Sequence, residues 1–211
     1  FATAPIYPLN PEGGPGLTLK ELCRNRVFWL LMLMMLGAGA AENTVSQWAS
    51  AFAEEGLGVT KTVGDLAGPM AFAALMGTAR LIYGKWGHKL HLEKCMLGSS
   101  LLCVAAYLAI ALVPDPRLAL VGCAVCGFSV GILWPGTFSK GAAAIPKGGT
   151  VMFALFALAG DLGCSAGPTL AGMVTRVCDG NMRRGILAGI VFPLLLVLCL
   201  VFGKKRKVVG N

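Results

Sequence analysis

One carboxylate and four other polar side chains lie inside the first long apolar segment of this 211-residue chain. They are Glu42, Asn43, Ser46, Gln47 and Ser50. At about 100° per helical residue they fall within an arc of about 140°, so they form one polar face. Lipid would leave their donors and acceptors unpaired, so this face must point at a cavity or a partner helix. We predict a substrate or proton site there; hydrogen bonding between helices that only holds a bundle together is the alternative.

A second carboxylate, Asp161, lies in the glycine-rich segment 160–168. Gly163 and Gly167 have the spacing of close helix contacts, and Pro168 cannot donate a backbone hydrogen bond, which leaves a carbonyl free. The pattern predicts a bent helix that lines a cavity. A buried carboxylate can bind a proton near neutral pH, so Glu42 and Asp161 are both proton-coupling candidates. The alternative for Asp161 is a structural pairing with another helix.

Two tryptophans and one arginine accompany these carboxylates. Trp48 lies off the polar face; it could stack on a ligand or belong to the aromatic belt, and we favour the ligand. Trp134 precedes Pro135 and follows Gly127 and Gly131, a pattern that predicts close helix packing and then a kink. Arg80 lies near one end of an apolar segment, where we expect its side chain to snorkel to the membrane surface.

The composition requires lipid as the solvent. The chain is 56% hydrophobic and only 13% charged, and its mean hydropathy is +0.73. An ordinary soluble domain has about 25% charged residues. The apolar segments do not alternate with a period of two, as the strands of a β-barrel would. The sequence therefore predicts an all-α membrane protein, a bundle of six transmembrane helices.

Six segments are long enough to cross a bilayer, which takes about 20 apolar residues. We predict spans at Val27–Ala53, Leu66–Gly84, Cys95–Val113, Leu118–Phe138, Thr150–Thr175 and Gly185–Gly203. They form one domain, residues 26–203. Residues 1–25, rich in proline and glycine at their start, are predicted to be a cytoplasmic linker, the central loop of a longer chain, and residues 204–211 a basic cytoplasmic tail.

Basic residues are distributed unequally over the two ends of such a bundle. Thirteen lie at the end that carries both termini, namely Lys20, Arg24, Arg26, Arg80, Lys85, Lys89, Lys94, Lys140, Lys147, Lys204, Lys205, Arg206 and Lys207. Five lie at the other end: Lys61, Arg117, Arg176, Arg183 and Arg184. The positive-inside rule then predicts that both termini are cytoplasmic. The same distribution explains the net charge of +8 without a nucleic-acid partner.

Catalytic and metal-binding patterns are not evident. Cys123 and Cys126 form a C-x-x-C, but neither a second pair nor histidines at zinc spacing accompany it, so we expect helix packing. The sequence has no HExxH, no P-loop and no nucleophile with a base and an orienting group. We therefore predict neither an enzyme nor a cofactor nor a metal site.

The stretch 77–89, G-T-A-R-L-I-Y-G-K-W-G-H-K, resembles the signature loop of the major facilitator superfamily, in the weaker form found between the eighth and ninth helices. Gly77 and Arg80 lie in its first part. Gly84 and Lys89 match the glycine and the basic residue of the family pattern. His88 stands where the family has an acid, so this chain lacks the acidic partner of the charge relay in that loop.

The order of motifs along the chain resembles helices seven to twelve of a twelve-helix member, near the bacterial fucose-permease-like branch. The resemblance implies that two six-helix halves rock about a site at the bilayer midplane. It also implies that the first and fourth spans line the cavity, which gives candidate substrate-binding roles to Glu42, Asn43, Gln47, Trp48 and Trp134. The partners implied are membrane lipid, the N-terminal six-helix half and a small polar solute. The resemblance to the fucose-permease-like branch is the only feature that suggests a sugar.

Two functions compete on this basis. The first is half of a secondary transporter in the bacterial cytoplasmic membrane, a proton- or ion-coupled symporter that moves a small polar solute by alternating access. The second is a membrane scaffold, or a fragment whose function lies in a missing partner half. Transport predicts pH-dependent uptake, whereas a scaffold predicts that loss of Glu42 changes stability but not flux.

Overall fold

The computed structural model describes residues 16–57 and 60–208. Within these ranges the chain forms nine α-helices, one 3-10 turn at Gly87–Lys89 and no strand. The helices are α1 (Leu19–Arg24), α2 (Arg26–Leu57), α3 (Lys61–Trp86), α4 (Leu92–Leu112), α5 (Pro116–Val130), α6 (Leu133–Ala144), α7 (Gly149–Val177), α8 (Met182–Gly189) and α9 (Val191–Val208).

Six helical segments of the described chain are long and apolar enough to cross a membrane. They are Arg26–Ala51, Thr62–Lys89, Leu92–Leu112, Arg117–Ala144, Gly149–Val177 and Met182–Gly203, referred to below as the first to sixth spans. Each overlaps one predicted segment, so the predicted all-α six-helix bundle is confirmed. The predicted connection at residues 54–65 is mostly helical, because α2 continues to Leu57 and α3 begins at Lys61.

The fourth and sixth spans each consist of two helices separated by a break. Gly131 and Ile132 separate α5 from α6, and Ile190 separates α8 from α9. In both cases a proline follows, Pro135 or Pro193, whose ring lacks an N–H and clashes with the carbonyl four residues earlier. The kink predicted near Trp134 therefore lies just before it.

The first span lies at the centre of the bundle and contacts the second, fourth, fifth and sixth spans. Its tightest contact is with α7. A Cβ on Gly163 would lie 2.0 Å from the Leu36 carbonyl oxygen, and a Cβ on Gly167 would lie 2.5 Å from that of Ala40. Only glycine allows such an approach, so the predicted close contact of this glycine pair is confirmed.

The glycine pair of the fourth span makes a similar contact with α3. A Cβ on Gly127 would lie 2.3 Å from the Phe72 carbonyl oxygen, and one on Gly131 would lie 2.8 Å from that of Met76. On the same helix Cys126 is buried, and its Sγ lies 3.9 Å from that of Cys103. All eight cysteines are free thiols in this structure.

Six alternating spans bring α1, the Gly87–Lys89 turn, the α6–α7 connection and the end of α9 to one end of the bundle, called the basic end below. There the Leu17 N–H donates to the Lys147 carbonyl at 2.8 Å. At the opposite end the Arg183 guanidinium donates to the carbonyls of Val113 and Pro114.

Both predicted flanking regions contain helix. Within the predicted linker 1–25, Thr18 and Glu21 form a capping box that starts α1, and Leu22 is buried. This part is therefore not an irregular loop. Residues 1–15 of that linker lie outside the described residues. In the predicted tail 204–211, α9 continues to Val208 and residues 209–211 lie outside the described residues.

Candidate functional site

Glu42 of the first span faces Arg80 of the second. The Arg80 Nη2 atom lies 3.7 Å from Glu42 Oε2, and the two side chains are 20% (Glu42) and 45% (Arg80) exposed. The prediction that Arg80 snorkels to the membrane surface is therefore wrong. A long, half-exposed contact of this kind contributes little to stability, but it balances a charge that the span otherwise carries alone.

The direction of α3 explains why Arg80 reaches inward. Gly68 packs against the Ala49 carbonyl, so in an antiparallel pair Glu42 lies opposite about residue 75, and Arg80 is roughly five residues, or about 7 Å, nearer the basic end. Helical side chains lean toward the N-terminus of their helix. The N-terminus of α3 is at the opposite end of the bundle, so the guanidinium leans away from the basic end and toward Glu42.

Two buried polar atoms near the centre of the bundle lack hydrogen-bond partners within the described part of the chain: Glu42 Oε2 and Trp134 Nε1. The Trp134 ring lies against α7, because a Cβ on Gly160 would meet its Cη2 at 2.5 Å. Gly160 in turn packs against Gly39, one helical turn before Glu42. A donor and an acceptor without hydrogen-bond partners therefore both belong to the region where the first, fourth and fifth spans meet.

Asn43 connects the first and fifth spans. Its Nδ2 donates to the Cys164 carbonyl at 3.4 Å. Cys164 is four residues before Pro168, so this is the carbonyl that the proline leaves without its usual helical donor. The free carbonyl that the sequence predicts thus receives a side-chain donor. This bond gives Asn43 a role between helices, and its substrate role stays a prediction.

Asp161 lies on the exposed surface of α7. Its carboxylate makes no hydrogen bond or ion pair with the described residues. Residues three apart on a helix are neighbours, so Asp161 lies on the side of α7 where Cys164 meets Asn43. Ser165 and Thr169 continue this side as an exposed polar stripe.

Gln47 and Trp48 lie farther along α2. Gln47 is exposed, whereas Trp48 is half-buried beside α7, where a Cβ on Gly172 would lie 3.8 Å from its Cζ2 atom. Trp48 lies six residues beyond Glu42 and away from the ion pair, and its ligand role stays a prediction. The structure brings Glu42, Asn43 and Trp134 together around α7 and leaves Gln47 at the surface.

The signature-like stretch is mostly helical. Of the four motif residues, Gly77, Arg80 and Gly84 lie on α3, and Lys89 lies in the Gly87–Lys89 turn. The three helical residues share one face. A Cβ on Gly77 or Gly84 would meet nothing within 4 Å, so this face is open within the described structure.

Three features of the site escaped prediction from the sequence. The pairing of Glu42 with Arg80 depends on the register of two antiparallel spans, although a lone acid and a lone base on consecutive spans were a signal. The contacts of Gly39 with Gly160 and of Gly160 with Trp134 depend on three-dimensional packing.

Among the described residues no group of three or more His, Cys, Asp or Glu side chains could hold a metal ion.

Similarity to known proteins covers most of the chain. The family model described as Major Facilitator Superfamily matches residues 2–168, which include the first four spans entirely. A search of curated proteins found no match. Six membrane-length helices, a polar centre on the first span and this family match agree with one another, and the chain belongs to the Major Facilitator Superfamily of membrane transporters.

Proposed function

We propose that this chain forms one half of a secondary transporter that moves a small polar solute by alternating access, with proton or ion coupling. One observation supports the proposal most strongly: Glu42 Oε2 and Trp134 Nε1 are buried and have no hydrogen-bond partner within the described residues, and Glu42 Oε2 has only the long contact with Arg80. Leaving a buried polar group without a hydrogen bond costs about 1–3 kcal/mol. A bound solute that offers both an acceptor and a donor removes that cost.

The chemistry of these groups favours hydroxyl-rich or cationic solutes over anions. A hydroxyl can accept from the Trp134 N–H and donate to the Glu42 carboxylate, and a cation can compete with Arg80 for the same carboxylate. Gln47 adds an exposed amide on the same helix. A sugar or polyol satisfies this donor and acceptor pattern, in keeping with the fucose-permease-like resemblance, and Trp48 offers an aromatic face farther along α2.

The exposed polar surfaces support pairing with an N-terminal six-helix half. Asp161, Ser165 and Thr169 are exposed on α7 within a membrane span. A carboxylate at that depth must face protein or water rather than lipid. On α3, the open face of Gly77 and Gly84 would let another helix approach closely. We place the basic end in the cytoplasm by the positive-inside rule.

Proton coupling is assigned to Glu42 or Asp161. Protonation of Glu42 would weaken its attraction to Arg80 and so free both side chains, which links proton occupancy to the contact between the first and second spans. Asp161 is the alternative carrier, since it lies one turn from Cys164 beside the same polar face. Either carboxylate can alternate between two protonation states as the cavity changes its exposure.

Uptake by the reconstituted protein, together with its partner half, tests the proposal. Proteoliposomes are given radiolabelled hexoses, polyols and organic cations, with and without a pH gradient, and wild type is compared with Glu42→Gln and Asp161→Asn. We expect gradient-driven uptake of at least one solute and its uncoupling by one substitution. Asp115→Asn is the matched control, because asparagine preserves the N-cap of α5. If no solute moves and the substitutions change only stability, the scaffold alternative is correct.

A further inference from the structure

A cavity of about 600 Å³ lies at the basic end, among the ends of the first, third, fourth and sixth spans. Its volume is in the range of sites that bind small molecules. The walls are mostly apolar and include Leu31 and Met34 of α2, Ala144 of α6 and Cys199 of α9. None of the residues proposed for the solute site lines it, so it is a separate feature of the fold.

The depth of the cavity matches that of a lipid at the membrane surface. Along the first span its lining runs from Val27 to Met34, which is about 10 Å at a rise of 1.5 Å per residue. Val27 is the second residue of that span. The cavity therefore begins at the level of the lipid headgroups and ends at the level of the first acyl carbons.

Polar residues are confined to the rim. His91, Glu93 and Lys94 at the start of α4 and Lys140 of α6 line the cavity. The Lys140 Nζ atom lies 2.7 Å from Glu93 Oε1, across the rim, and the Lys94 side chain is exposed. Because the rim has two lysines and one carboxylate, its net charge is positive. The apolar wall below it has no group that could bind an ion.

We propose that this cavity binds an anionic phospholipid, with the phosphate at Lys94 and Lys140 and an acyl chain against the apolar wall. Basic cavities between transmembrane helices at the cytoplasmic side recognise such headgroups. A free phosphate would use only the rim and leave the apolar wall without a ligand. Glu93 competes with the phosphate for Lys140, so it weakens binding and favours lipids with more negative headgroups.

Native mass spectrometry of the full chain in detergent tests the proposal. Dioleoyl phosphatidylglycerol and dioleoyl phosphatidylcholine are titrated separately, so that the acyl chains are equal and only the headgroup differs. We expect the phosphatidylglycerol to bind at least fivefold more tightly. Lys94→Gln and Lys140→Gln should each weaken its binding about fivefold, the usual contribution of one basic residue near anionic lipid. Lys147→Gln, at the same end but outside the cavity, is the matched control and should change nothing.

Two further variants separate binding of a whole lipid from binding of a free anion at the rim. Glu93→Gln should strengthen phosphatidylglycerol binding, an effect opposite in sign to that of the lysine variants. Ala144→Trp, which fills the apolar wall without changing charge, should weaken the binding of both lipids. The proposal is overturned if both lipids bind equally well, if the lysine variants bind like wild type, or if millimolar inorganic phosphate displaces the phosphatidylglycerol completely.

Discussion

Gly163→Ala tests whether the contact between α2 and α7 depends on the absence of a side chain. The new Cβ would lie 2.0 Å from the Leu36 carbonyl oxygen and 2.9 Å from the Ala40 nitrogen. Both atoms belong to the backbone of a continuous helix, so neither can rotate away. The two helices must separate by about 1 Å to bring the nearer contact to an acceptable distance, and that separation loosens the neighbouring contacts of Gly160 and Gly167.

The expected loss of stability is about 2 kcal/mol. Overpacking of a tight interior costs about 1–3 kcal/mol, and more where backbone must move. Against it stands a gain of up to about 1 kcal/mol, because alanine favours helix more than glycine does. Gly172→Ala on the same helix has the same gain without the clash, since its Cβ would meet only Trp48 at 3.8 Å. It should be neutral or stabilising.

The free energy of unfolding of both variants and of wild type is measured in mixed micelles. Dodecyl sulfate is added to unfold the protein reversibly, and circular dichroism follows the loss of helix. The comparison between the two alanines cancels the propensity gain and leaves the packing cost. Equal stabilities of Gly163→Ala and Gly172→Ala would refute the close contact between these helices.

Three other predictions concern single contacts. A double-mutant cycle of Glu42→Gln and Arg80→Gln, measured by the same unfolding assay, should give a coupling free energy of about 1 kcal/mol or less, because the pair is long and half-exposed; a coupling above about 3 kcal/mol would show a closer pair. Asn43→Ala should cost about 1 kcal/mol by leaving the Cys164 carbonyl unpaired, and adding Pro168→Ala should recover most of it, because the alanine N–H then donates to that carbonyl; absence of recovery would exclude this bond. Hydrogen bonds from the Thr18 N–H and hydroxyl lower the pKa of Glu21 from its ordinary value, so its contribution to α1 is complete above the ordinary glutamate pKa and is lost as pH falls through the lowered one. Thr18→Ala removes the hydroxyl donor and keeps the backbone N–H, so carboxyl NMR should show this pKa returning part of the way to the ordinary value; an unchanged pKa would contradict the bond from the hydroxyl.

The positions of the spans were predictable because hydrocarbon imposes a length and an apolar composition that the sequence displays directly. The glycine contacts of α7 and of the fourth span were predictable for a similar reason, since small residues four apart mark close approach. Helix breaks were predictable near Pro135, because the chemistry of proline is local. These features depend on residues close together along the chain.

The details of the site depend on register and packing, which the sequence does not display. Arg80 reaches Glu42 because α3 runs antiparallel to α2. The position of Arg80 near the basic end favours a side chain that points to the membrane surface, whereas the direction of α3 turns it toward Glu42. The hydrogen bond from Asn43 to the Cys164 carbonyl cannot be inferred from one helix alone, and the substrate role of Asn43 stays a prediction. The short helix α1 was predictable from Thr18 and Glu21, but the surrounding prolines and glycines favoured a loop.

The polar face of the first span, with the adjoining side of α7, must line an aqueous path if this chain transports a polar solute. The most direct test is to label substituted cysteines with a hydrophilic maleimide in native membranes. The substitutions are made in a Cys164→Ala background, and mass spectrometry identifies which residue is labelled. Ser165→Cys and Ala166→Cys are adjacent and exposed at the same depth of α7, but they lie about 100° apart around the helix. We predict that the cysteine at position 165 is labelled and that the one at position 166 is protected by lipid. Equal labelling, or labelling at position 166 alone, would contradict an aqueous path at this face.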